Sequence, residues 1–424
     1  MSSPADRSHS SDAGPAAPPG PLHLREHWEG DGVRGARVSI LREKRPFRLS
    51  GGRKKKDAKS KKKKKRDRHS RTKVAFMRYG YYDLVFKYFV EQVLDADFVW
   101  LGDPTRRTVE LGSRHATDYV CSPFKHILGD YIEALEAGAD VLVQVTGPCR
   151  LGYYGELQES ILRDLGYDFE MLNFATVEGG SAADYIKICQ KKVNPDVGIA
   201  GGVKNLLAVA KMIECLDEYN DAWLAQAGFE VERGSFSRAR DDYFAAMRDA
   251  SCPDDILRAH REGMRVLRGL EVSVPADPVR VGVVGEYFTA PVPHANLHVE
   301  DKLVGMGVSV ARMMNMTNRN LRYNEKNLRA GISEYVTYDM GPTSSLTLAA
   351  AKRYAEEGFD GVIHVKSAGC TPEIDCMPVL QRISSDYSMP ILYLSFDSQT
   401  SDTGLDTRLE AFYDMISRRK LTRR

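Results

Sequence analysis

The chain has 424 residues, 42% of them hydrophobic and 28% charged, with a formal net charge of +2. That length supports two or three domains, each with its own core. No signal-type apolar h-region is present, and no apolar run approaches the ~18–20 residues of a spanning helix. These features exclude a membrane protein and point to the cytoplasm. The seven cysteines are an odd count, and in a reducing compartment thiols serve as ligands, catalysts or buried hydrophobes more often than as bridges.

The charge is unevenly spread. Residues 1–73 carry 22 Lys+Arg against 8 Asp+Glu, which leaves 38 basic and 50 acidic residues in 74–424. Residues 1–72 read as a disordered basic tail, because Pro/Ala/Ser/Gly-rich and polybasic sequence buries too little apolar surface to offset chain entropy. A polybasic block attracts polyanions by counterion release, but no aromatic residues interleave Arg53 to Arg71. A nucleic-acid partner is therefore not expected, and the tail is given no specific role.

The pattern changes at Lys73. Val74–Met77 reads as a strand, Phe86–Leu94 as helical, Asp97–Leu101 as a strand and Arg106–Gly112 as a short helix. Tyr119–Cys121 reads as the end of another strand, and Pro123 as an early position of the helix that follows. Ala139–Val145 is apolar enough for a buried parallel strand; a helix through Leu157 and Leu162 and a strand over 169–174 come next. Residues 180–270 are mostly helical by spacing. Val279–Val284 opens a second series, with a helix at 297–307, a strand at 308–315, a helix at 343–357 and strands at 361–366 and 390–395. A helix over 408–418 closes the chain. Strands alternating with helices indicate βαβ units and parallel sheets. The expected fold is α/β, with two Rossmann- or flavodoxin-like domains, 73–179 and 275–424, around a helical segment, 180–274.

Cys121, Cys149 and Cys370 each fall where an apolar run gives way to a turn, the ligand-binding edge of an open α/β sheet. A single cysteine there reads as a small buried hydrophobe. Three of them, each beside Gly or Pro, read as thiolate ligands, and without a dense ferredoxin-type run they fit an iron–sulfur cluster with one iron open. Cys189, Cys215 and Cys252 lie in or beside helices and read as packing residues. Cys376 either joins the site or faces the core of the helix it enters. No GxxxxGK[ST] loop is present, so no Walker-type nucleotide site is expected. His294 and His298 lack a third ligand and read as surface or turn residues.

Four blocks together carry a family resemblance. They are Cys121-Ser-Pro-Phe-Lys125 with Gly129; Gly147-Pro-Cys-Arg-Leu-Gly-Tyr-Tyr-Gly-Glu-Leu-Gln158; Val284-Gly-Glu286 with Ala295-Asn296; and Gly369-Cys-Thr-Pro-Glu-Ile374 with Asp397 and Gly404 to Phe412. In these the chain resembles the cluster-bearing subunits of the 2-hydroxyacyl-CoA dehydratase family, relatives of benzoyl-CoA reductase and of double-cubane cluster proteins. The resemblance covers most of 73–418. It implies a 4Fe–4S cluster, or a larger double-cubane cluster, held by Cys121, Cys149 and Cys370 in a cleft between the two domains. It also implies a separate ATP-hydrolysing activator as electron donor, a homo- or heterodimer with a related subunit, and a CoA thioester substrate in anaerobic metabolism. The activity would be that of a lyase, with an ATP-coupled reductase of small molecules or a non-catalytic scaffold subunit as alternatives. Lys125 and Arg150, beside the ligands, would offset the anionic cluster or lie exposed at helix N-termini. Glu286 ends a strand on the ligand-binding edge and is the candidate base or hydrogen-bond partner. The segment Asp397-Ser-Gln-Thr-Ser-Asp402 departs from the acidic run expected of the family at the substrate pocket.

Overall fold

In the computed structural model, β1 (Lys73–Phe76), β2 (Asp97–Phe98), β3 (Val141–Gln144) and β4 (Glu170–Asn173) form a parallel sheet in the order β2-β1-β3-β4. A second parallel sheet repeats that order as β6-β5-β7-β8, built from β5 (Arg280–Gly285), β6 (Ser309–Arg312), β7 (Gly361–Ser367) and β8 (Ile391–Phe396). The structure describes residues 71–422, apart from 146–148, 150, 175–181, 323–324, 339 and 342. The expected tail, 1–72, thus lies outside the described residues except for its last two positions. In both sheets the strand order reverses beside the first strand, between β1 and β3 and between β5 and β7, and such reversals open a crevice at the carboxyl ends of the strands.

Helices supply the parallel crossovers. The first half carries α1 (Asp83–Tyr88), which runs on into a π-helical turn, α2 (Arg106–Arg114), α3 (Ser122–Glu136) and α4 (Leu151–Asp164). Between the sheets lie α5 (Ala182–Lys192), the long α6 (Ile199–Gln226), α7 (Ser235–Arg248) and α8 (Pro253–Gly269). The second half carries α9 (Val299–Gly305), α10 (Glu325–Gly331), α11 (Ser344–Glu356), α12 (Thr371–Asp375), α13 (Met377–Asp386) and α14 (Asp402–Thr422). Their starts are written locally. α8 opens with Pro253 and two acids, which suit the first-turn geometry and the helix dipole, and the Asp255 carboxylate accepts the Ser251 N–H at 3.1 Å. No helix among the described residues is long and apolar enough to cross a membrane.

Two sequence expectations change here. No strand ends at Cys121: residues 115–121 are turns and bends, with Val120 N–H returning to Thr117 O at 3.3 Å. The run has too little apolar face to join a sheet, and Tyr119 is 99% exposed. The strand at 97–101 stops after Phe98, because the chain leaves the sheet edge through exposed Trp100 and turns at Gly102, φ +68°.

β7 is buried at all seven positions, and each apolar side chain so buried stabilises by about 1.5–3 kcal/mol. α2 and α3 approach closely because of two glycines. A Cβ on Gly129 would stand 1.9 Å from Thr108 O, and one on Gly112 would stand 1.7 Å from Lys125 O. α6 ties the two halves together through Asp217, whose carboxylate accepts the Tyr81 and Tyr82 hydroxyls at 2.7 and 2.5 Å and the Thr317 N–H at 2.8 Å. The buried Tyr79 hydroxyl of the first half also donates to Tyr287 O of the second.

Candidate functional site

Cys121 and Cys370 are built alike. Each is the residue before a helix, α3 or α12, with proline at the second helical position. This Cys-x-Pro start leaves the first-turn N–H groups turned toward the sulfur. Neither sulfur forms a full capping hydrogen bond, yet the Phe124 and Glu373 N–H groups favour the thiolate of Cys121 and of Cys370 respectively. Cys149 lies beyond β3, and its flanking residues 146–148 and 150 fall outside the described residues.

The two halves meet at these cysteines. Ser122 N–H donates to Ser367 Oγ at 2.9 Å. A Cβ built on Gly369 would stand 3.6 Å from Cys121 Cα, ordinary contact distance, so the loop carrying Cys370 rests on the start of α3. Burial pushes the Cys121 thiol up to about 11, against a hydrogen bond with the Tyr154 hydroxyl at 2.9 Å; negative charge on Glu286 and Cys149 pushes it further up. Burial raises Cys370 as well, followed by Glu286 and Glu373, with Cys149 again contributing. Cys149 is therefore an electrostatic neighbour of both other cysteines. All three are partly exposed, whereas Cys189, Cys215 and Cys376 are buried.

The other expected residues scatter. Glu286 is buried, and its carboxylate is turned back onto the Phe288 and Thr289 N–H groups at 2.6 and 2.8 Å. Burial raises its pKa. It follows Gly285, whose φ of +151° and 1.8 Å approach of a hypothetical Cβ to Val365 O admit only glycine. Lys125 is neither solvent-exposed nor turned to a thiol: it is buried, and its amine donates to Asp118 O at 3.3 Å. Arg150 lies outside the described residues. His294 and His298 pack edge to face at 4.8 Å.

Three groups were not singled out from the sequence. Lys366 on β7 is buried, with the negative forms of Cys370, Glu373, Cys376 and Glu286 as its charged neighbours; burial lowers its pKa against their pull. Its amine forms no hydrogen bond among the described residues. His364, two residues earlier on the same strand face, is fully buried and meets Glu373 Oε2 at 2.7 Å. The legible signal was a polar i, i+2 pair inside an otherwise apolar strand. Third, buried His126 lines a cavity of about 540 Å³ with Thr105 of the first half and His294, Phe396, Ser398 and Thr400 of the second. Burial and the nearby His294 lower the His126 pKa to about 4, so the ring is neutral near pH 7. Cys376, left open by the sequence, is wholly buried and directs its thiol at Glu373 O, 3.4 Å away.

The chain matches no protein-family model and no curated protein.

Proposed function

We propose that the chain is the cluster-bearing subunit of a 2-hydroxyacyl-CoA dehydratase-like system, holding a 4Fe–4S cluster on Cys121, Cys149 and Cys370 and acting in the cytoplasm. The observation that carries this is convergence: thiols from both halves lie within electrostatic reach of one another where the start of α3 meets the loop after β7. The donor set fits the group. It offers three soft thiols, backbone N–H groups favouring two of the sulfurs, and the Lys366 amine, without a hydrogen bond among the described residues, beside a site that turns anionic when the thiols ionise. The raised thiol pKa values mean that binding iron must expel protons, as thiolate–metal sites do.

When bound, such a cluster supplies single electrons and an open iron for a thioester carbonyl. The chain's own residues orient and exclude water around it. The Tyr154 hydroxyl is hydrogen-bonded to the Cys121 sulfur, buried Glu286 bears electrostatically on both Cys121 and Cys370, and the cavity beside neutral His126 has room for a short acyl group. Tyr119, Tyr153 and Ile374, each within four residues of a site cysteine, are 99%, 74% and 45% exposed. We read these three as part of a docking face for the ATP-hydrolysing activator or a related subunit.

The test is iron and sulfide content with visible absorption, after anaerobic purification of the full chain. Cys149→Ala and Cys370→Ala should each lose both, and Cys215→Ala should keep them. Wild-type iron in all three variants would overturn the cluster. Turnover of a 2-hydroxyacyl-CoA only with activator, ATP and reductant present would support the enzyme; iron without such turnover would leave a scaffold subunit.

A further inference from the structure

Behind Cys370 lies a second set of metal-type donors. His364 of β7, Glu373 of α12 and Cys376 at the α12–α13 junction place one ligand atom each within 4.8 Å of the others, and all three side chains are fully buried. From this geometry we infer a mononuclear divalent-metal site of zinc type on His364, Glu373 and Cys376, separate from the three cysteines of the cleft.

Spacing supports it. Nitrogen, oxygen and sulfur ligands of a tetrahedral zinc stand 2.0–2.3 Å from the ion, hence roughly 3.3–3.8 Å from one another. Glu373 Oε2 lies 2.7 Å from His364 Nε2 and 3.7 Å from Cys376 Sγ. An ion would part the first pair by about 0.7 Å and leave the second nearly unmoved. The carboxylate is already oriented: Thr343 Oγ1 donates to Glu373 Oε1 at 2.6 Å, and Thr347 Oγ1 reaches both carboxylate oxygens at 3.1 Å. Fixing a ligand through its other hydrogen bonds is how proteins tune metal sites.

Charge supports it as well. One carboxylate, one thiolate and a neutral imidazole sum to two negative charges, which a divalent ion cancels. Without an ion this interior holds polar groups that only partly satisfy one another; His364 Nδ1 has no hydrogen-bond partner among the described residues. A thiolate in the donor set favours zinc or ferrous iron over magnesium or calcium. Because the ion would join β7 to α12 and α13, it would act as a staple holding the helix start at Cys370, where Ser344 Oγ also grips Pro372 O at 2.8 Å.

Cobalt(II) titration of the full chain, purified anaerobically with chelator, tests this. Wild type should bind one ion per chain, with thiolate-to-cobalt charge-transfer absorption and a rise in Tm. Cys376→Ala should lose the band and the Tm response, His364→Asn should weaken binding at least tenfold, and Cys149→Ala should leave both signals intact. Absence of the band in wild type, or its persistence in a folded Cys376→Ala protein, overturns the site. Loss in Cys149→Ala with retention in Cys376→Ala would assign the cobalt to the cleft cysteines and also overturn it. If Cys376→Ala does not fold, Glu373→Gln takes its place: it keeps size and hydrogen bonding but removes a ligand charge, and unchanged affinity there overturns the proposal too.

Discussion

The two halves share one strand order, yet they fix their cysteine-bearing helices by different means. In the first half α3 is held by steric fit, with Gly112 and Gly129 letting α2 lie directly against it, and by an ion pair of buried Arg78 with Asp130 and Glu133. In the second half α12 is held by a buried polar set, in which Glu373 joins His364, Thr343 and Thr347. A steric interlock is insensitive to pH and ions and fails when a methyl group is added. A polar interlock tolerates no unpaired member, and its strength depends on protonation and bound ions. One topology therefore holds two ligand-bearing helices, the first by a glycine fit and an ion pair, the second by a carboxylate network.

The largest break in this comparison concerns what unites the halves. Asp217→Ala should remove the acceptor shared by the Tyr81 and Tyr82 hydroxyls and the Thr317 N–H, at a cost on the order of 4 kcal/mol, since each buried group that loses its partner costs ~1–3 kcal/mol. Chemical denaturation followed by two probes, one per half, would show whether the transitions separate. Coincident, unshifted transitions would mean that α6 does not couple them.

Next in size is the acid limb of stability. Burial holds the His126 pKa at about 4 in the folded chain, against 6.5 for an unperturbed histidine. As pH falls through 6.5 the unfolded chain takes up a proton that the folded chain refuses until about 4, so stability is lost on acidification across that window. The linkage amounts to about 3 kcal/mol. His126→Gln should flatten this part of a Tm-against-pH profile, and an unchanged slope would place the titration elsewhere.

The steric interlock should yield to a single methyl. Gly129→Ala is expected to cost about 1–3 kcal/mol through overpacking against Thr108 O and to lower Tm without changing its pH dependence. Smallest is Tyr154→Phe, which removes the hydrogen bond to Cys121. A net loss of about 1 kcal/mol should raise the apparent pKa for Cys121 alkylation, with the Cys370 alkylation profile as an internal control.

How much of this could be read from residues alone varied with range. Periodicity located all eight strands to within a few positions, because apolar runs and turn residues are local signals. The strand expected before Cys121 failed since pairing needs a partner edge, and Tyr119 and its neighbours had none. Lys125 and Glu286 were legible as residues beside the site, but not by direction: one side chain turned to Asp118 O and the other to its own chain's N–H groups. His364 and Glu373 lie nine residues apart in sequence and touch only because α12 folds back over β7.

By itself the sequence determined an α/β chain of two parallel series around a helical segment, with Cys-x-Pro starts at Cys121 and Cys370, because burial periodicity, proline and glycine act over a few residues. Tertiary structure alone decided that Cys121 lies against Gly369, that Asp217 spans both halves, and that His364, Glu373 and Cys376 form a buried set. Those contacts depend on how whole elements pack, and the orientation of a packed helix is set by all the surfaces it meets rather than by its own residues.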